Sequence, residues 1–237
     1  MKNNKEGNNL IEKLTVKYRN VWNEISEEER KELFSINEDY KQFLDKGKTE
    51  RESTREIINR AEENGFRCLN DIIKSKEKLK PGMKIYSNNK NKGVALFVLG
   101  KESIEGGMNI VGSHIDSPRL DLKQNPLYED SGMAFLKTHY YGGLRKYQWV
   151  SLPLALHGVV IKNNGEKVQI TIGEEESDPV FFISDLLPHL AKDQGKKSLD
   201  EGIAGEGLNL IIGSIPHSDE DLDERVKANI LELLYEK

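Results

Sequence analysis

At Pro81-Gly82 the chain changes texture, from a strongly charged, helix-patterned first third to short β-rich runs punctuated by Gly93, Gly100, Gly106 and Gly107. A 3.6-residue period and a 2-residue period cannot be served by one element type, so the two stretches predict helices followed by a sheet, an α/β architecture. Upstream, Ser26 and Glu29 have capping-box spacing, and Leu33, Phe34, Ile36, Tyr40, Phe43 and Leu44 recur at helical intervals until Gly47. An earlier helix is expected over 9–24. Thr49 and Glu52 repeat the start signal, with Ile57, Ile58 and Ala61 on one face and Gly65 as the stop. These helices are expected to cover one side of a sheet and to turn their charges to solvent.

Downstream, K-I-Y-S, G-V-A-L-F-V-L-G and M-N-I-V-G-S-H read as strands. The second and third are expected to be neighbours, buried on both faces because they are so apolar. A further strand is expected over 133–140, preceded by the loop L-Y-E-D-S-G. The organisation changes again near 149–153, which predicts a boundary there. Beyond it, 154–161 and 168–172 form an expected hairpin about Asn164-Gly165. Then come a short helix with Pro188 in its first turn, a strand L-N-L-I-I-G-S-I-P, and an amphipathic helix carrying Leu222, Val226, Ile230, Leu233 and Leu234. That last helix is expected to begin at the acidic run S-D-E-D-L-D-E.

Thirty-five basic against 40 acidic residues leave a formal charge of −5, so no broad basic surface marks a nucleic-acid partner. No window approaches the roughly 18 apolar residues of a membrane span, and M-K-N-N-K-E-G-N-N lacks the apolar core of a secretory signal. A cytoplasmic protein is expected. Cys68 stands alone among 237 residues, which rules out an internal disulfide and a cysteine zinc cage, and it reads as a small, half-buried residue.

The chemistry-bearing segment is N-I-V-G-S-H-I-D-S-P-R, where an apolar run delivers His114 and Asp116 to an expected strand end. A zinc-binding imidazole needs a carboxylate or carbonyl on its other nitrogen to fix tautomer and direction, and residues i and i+2 of a strand share a face. Spacing alone decides little, since about 0.3 such pairs arise by chance in this composition. His217 and Asp219 form a second copy, but beside an acidic helix start, where capping chemistry is the expectation. His139 and His157 read as strand-face packing residues, and His189 follows Pro188. H-E-x-x-H, G-x-S-x-G and G-x-x-x-x-G-K-[ST] are all absent from the sequence. A hydrolytic zinc centre takes at least three protein ligands, and one H-x-D supplies one.

The runs V-G-S-H-I-D-S-P-R-L-D-L-K, M-A-F-L-K-T-H-Y-Y-G-G-L and W-V-S-L-P-L-A-L-H-G-V-V resemble the M18 aminopeptidases, cytosolic or vacuolar two-zinc exopeptidases. The likeness runs from the helical start to P-H-L-A and corresponds to about the first half of a typical member. It implies that His114 is the first zinc-ligand histidine, Asp116 the catalytic aspartate that orients it, and His189 the histidine that reaches a partner subunit's active site to contact substrate. It also implies an α/β proteolytic domain, here 1–150, interrupted by a β-rich dimerisation insertion, here 151–237. Two Zn2+ ions per complete site, a peptide substrate and a homo-oligomer formed through the insertion follow from the same resemblance. Gly142-Gly143-Leu144 departs from it, where many members carry a third glycine. The family's bridging aspartate, adjacent glutamates and last histidine fall beyond Lys237, so the chain is expected to be a truncated product, inactive alone. The alternative expectation is a non-catalytic dimerising or scaffolding module in which the H-x-D is a relic.

Overall fold

The computed structural model describes residues 13–16 and 18–236, and its contacts divide the chain between Gly47 and Lys48. The helix expected over 9–24 lies partly outside the described residues. Within them, Val21–Asn23 is a single 3-10 turn closed by the Asn20 side chain on the Trp22 amide. Helix α1, Glu27–Lys46, starts at the expected capping box: Ser26 Oγ accepts from the Glu29 amide, and Glu29 accepts from the Ser26 amide at 2.7 Å. Three glutamates in its first turn and Lys46 in its last suit the helix dipole. No residue of α1 is buried.

In the second unit, helix α2, Glu50–Glu63, is capped by Thr49, whose hydroxyl accepts from the Glu52 amide and donates to the Glu52 carboxylate. Its buried face carries Ser53, Thr54 and Ala61, while Ile57 and Ile58 are half-buried. It lies on a three-stranded sheet of β1 (Arg67–Cys68), β2 (Lys84–Asn88) and β3 (Val94–Val98) in that order, with α3 (Leu69–Ser75) inserted after β1. Cys68, half-buried, precedes α3. Tyr86 ties β2 to α2 by donating to Glu62 at 2.6 Å, and that bond, helped by burial and the carboxylate's charge, raises the phenol's pKa.

The second sheet runs β4 (Arg119–Asp130), β5 (Met133–Tyr141) and β8 (Leu210–Gly213), antiparallel throughout. Its β4–β5 turn places Ser131 and Gly132 both at positive φ, the two-residue turn whose twist matches that of the strands. A register shift between Leu122 and Leu127 bends β4. Strands β6 (Leu156–Ile161) and β7 (Lys167–Ile172) pair as the expected hairpin, with Gly165 at φ 85° in its turn. Leu136, Phe181, Ile183, Leu208 and Leu210 form the main core, and Val226 and Ile230 of α4 (Arg225–Glu236) pack on Ala134.

Several expectations fail for definite reasons. M-N-I-V-G-S-H forms no strand, and Val111 is 99% exposed: among the described residues no neighbour offers the run a hydrogen-bonding edge. The neighbour of β3 is β2, and β3 is largely exposed. L-Y-E-D is the end of β4 rather than a loop, because its residues pair with Met133–Leu136 across the tight turn. The helix expected around Pro188 is only a turn, with the Leu190 and Ala191 amides bonded to the Leu187 carbonyl. Helix α4 begins at Arg225, past the acidic run and past Leu222, and Leu233 and Leu234 are exposed. Among the described residues no helix is long and apolar enough to cross a membrane.

Candidate metal and catalytic site

The His114 loop joins β3's exit to the start of β4, and residues 107–118 have no regular secondary structure. A backbone ladder therefore does not aim the side chains, which hold each other instead. His114 Nδ1 lies 2.9 Å from the Asp116 carbonyl oxygen and 3.3 Å from Asp116 Oδ1. Both are acceptors, so Nδ1 carries the proton and Nε2 keeps its lone pair. The His114 side chain is 82% exposed, leaving Nε2 open to a ligand-binding partner. Asp116 Oδ2 accepts from the Tyr141 hydroxyl at 3.3 Å.

The second H-x-D copy has the opposite polarity. The Asp219 amide donates to His217 Nδ1 at 3.0 Å, which makes that nitrogen an acceptor, and Nε2 lies 3.2 Å from Glu232. The His217 carbonyl receives the Arg225 guanidinium just before α4, so this copy does serve the helix boundary. Two identical spacings thus give one open imidazole and one consumed by local bonding.

His189 sits exposed in the turn after Pro188 and makes no hydrogen bond or ion pair with His114 or Asp116. His139 is exposed and stacks on Tyr140 at 5.6 Å. His157 is not a packing residue: Nδ1 meets Glu52 at 2.9 Å and Nε2 meets Glu174 at 2.8 Å. Among the described residues no group of three or more His, Cys, Asp or Glu side chains is placed to hold a metal ion.

Two residues around the pair went unnoticed in the sequence. Arg119, the first residue of β4, lies opposite Tyr141, the last of β5, and places its guanidinium 4.1 Å from the ring centroid. Arg119 Nε bonds Asp121 at 2.8 Å and Nη1 lies 2.9 Å from Glu50. Burial opposes its charge, but the bond to Asp121 and the charges of Asp121 and Glu50 outweigh that and raise its pKa. No local motif announces this pairing; only the hairpin register creates it. A cleft of about 250 Å³ is lined by Arg119 together with, among others, Glu50, Arg55, Lys92 and Gln169, and His114 is not part of it.

Residues 43–237 match the sequence profile of the aminopeptidase I zinc metalloprotease (M18) family. The chain belongs to the M18 family. A relative from Clostridium acetobutylicum, named as a probable M18 family aminopeptidase 1, is 50% identical over 224 residues, covering 94% of this chain and 48% of the relative. The crystal structure of an M18 aminopeptidase from Thermotoga maritima superimposes with a TM-score of 0.85 at 43% identity, covering 94% of this chain and 47% of that one. At the level of fold alone, the mApe1 dodecamer of S. cerevisiae aligns at 19% identity with a TM-score of 0.56, over 85% of this chain and 44% of that one. This M18 chain therefore spans about half the length of the relatives it matches.

Proposed function

We propose that the chain is the amino-terminal portion of a zinc-dependent aminopeptidase that removes N-terminal residues from peptides. His114 is its zinc ligand, Asp116 the catalytic carboxylate that orients the ligand, and His189 a substrate contact. The observation that carries this reading is the polarity of His114, with Nδ1 turned to Asp116 and an exposed Nε2 free to ligate. Zinc, when bound, supplies Lewis acidity toward the scissile carbonyl.

The donor set fits zinc only in part. His114 supplies one ligand, whereas a closed or catalytic centre takes at least three from protein, and no third donor joins it among the described residues. We assign the other ligands of a two-zinc site and the general base to the half of the relatives' length that this chain does not span. The 237-residue chain is then inactive by itself. Residues 1–150 belong to the proteolytic domain and 151–237 to a dimerisation insertion. This division is one of role, since β8 pairs with β5 and the main core draws on both sides of residue 150. Support for assembly into a homo-oligomer comes from the exposed Val159, Val160 and Ile161 of β6.

The test is the substitution matching His114→Ala in a full-length relative, assayed on an aminoacyl-nitroanilide. A fall in kcat/KM of about 100-fold or more is expected. Retained activity removes His114 from the site. The missing third donor is also what a non-catalytic dimerising module would show.

A further inference from the structure

We propose that Tyr141 is a positioning residue that holds the Asp116 carboxylate against His114, with Arg119 as the clamp on Tyr141. The inference rests on the metallopeptidase reading above and concerns how the pair is aimed.

The loop over 107–118 has no ladder of its own, and Asp116, 41% exposed, has a carboxylate that solvent alone would leave free to rotate. The Tyr141 hydroxyl takes Oδ2, which leaves Oδ1 3.3 Å from His114 Nδ1 as a second acceptor beside the Asp116 carbonyl oxygen at 2.9 Å. Tyr141 is in turn held in two ways. Its backbone is the last paired residue of β5, opposite Arg119. The guanidinium covers its ring at 4.1 Å, and that guanidinium is tethered to Asp121 on β4 and to Glu50 in the first turn of α2. The strand ends thus bracket the loop from both sides. An imidazole that accepts no fixed partner samples both tautomers, and only the one with the proton on Nδ1 presents Nε2 as a ligand.

Long-range 1H–15N spectra of the 237-residue chain, recorded where the ring is neutral and assigned by loss of the signal in His114→Gln, read this directly. Wild type is expected to show His114 mainly protonated on Nδ1. Tyr141→Phe keeps the ring and the stack but removes the hydroxyl, and is expected to raise the share of the Nε2-protonated form, while Tyr140→Phe leaves it as in wild type. Arg119→Lys keeps the charge but loses the planar fork, and is expected to move the signal in the same direction. If Tyr141→Phe fails to fold, Arg119→Lys decides alone. A wild-type His114 protonated on Nε2, or a folded Tyr141→Phe or Arg119→Lys with an unchanged pattern, overturns the proposal. The measurement needs neither zinc nor turnover, so a negative result here leaves the peptidase reading standing, and failure of the His114→Ala assay leaves the positioning standing.

Discussion

His157 and Glu52 meet at 2.9 Å in a nearly dry contact, joining hairpin β6–β7 to the first turn of α2. The other ring nitrogen meets Glu174 at 2.8 Å, so a carboxylate flanks the imidazole on each side. Removing the ring leaves Glu52, 6% exposed, with Thr49 as its remaining bonded side chain. His157→Ala is therefore expected to cost about 1–3 kcal/mol in urea unfolding, the range for a buried polar group that loses its partner. A loss under about 0.5 kcal/mol would show the contact to be incidental.

Leu208 is fully buried in the main core, and its carbonyl accepts from the Thr138 hydroxyl. Leu208→Ala is expected to lower stability by about 2–5 kcal/mol, the transfer and cavity costs combined. Leu187→Ala, at an exposed turn, is expected to stay within about 0.5 kcal/mol. Equal melting temperatures for the two variants would contradict this placement of the core.

Gly173 has φ 101°, and a Cβ on it would meet the Ala155 Cα at 3.0 Å and the Leu154 carbonyl at 3.2 Å. Both obstacles are backbone and cannot swing away. Gly173→Ala is expected to destabilise by about 1–3 kcal/mol, and thermal unfolding in which the variant matches wild type would exclude the close approach.

Arg67 and Glu77 form a two-pronged pair, with bonds of 3.0 and 2.7 Å. The bond to Arg67 holds Glu77 below its ordinary pKa, so the unfolded chain takes up a proton there before the folded one does. The pair's stabilisation is present above the ordinary carboxylate range and is lost as pH falls through the lowered value. Between neutral pH and about pH 4, the Tm of wild type is expected to fall more than that of Glu77→Gln, whose side chain does not titrate. Parallel pH profiles would show that the pair contributes nothing.

The helix starts at Ser26 and Thr49 were legible because capping is a local contract between residues three apart, and the hairpin at Asn164-Gly165 was legible because turn chemistry needs only its own residues. The run before His114 misled for the converse reason. Its apolar composition specifies a buried strand only if another strand accepts its backbone, and none among the described residues does. The acidic run before α4 misled in the same way: His217 and Arg225 bond each other and delay the helix.

By itself the sequence determined where the H-x-D spacings fall, where the local caps and the hairpin turn lie, and the family that a chain with these runs joins. Context set the two H-x-D copies apart, one after an apolar run and one at an acidic helix start. Tertiary structure decided the polarity of each imidazole, because the proton on a ring nitrogen follows whatever acceptor or donor the fold brings to it. For His114 that is a carbonyl and a carboxylate that accepts from the Tyr141 hydroxyl on β5, and for His217 it is a backbone amide. Interactions between residues 25 positions apart in sequence, as with Asp116 and Tyr141, depend on hairpin register, which no local pattern encodes.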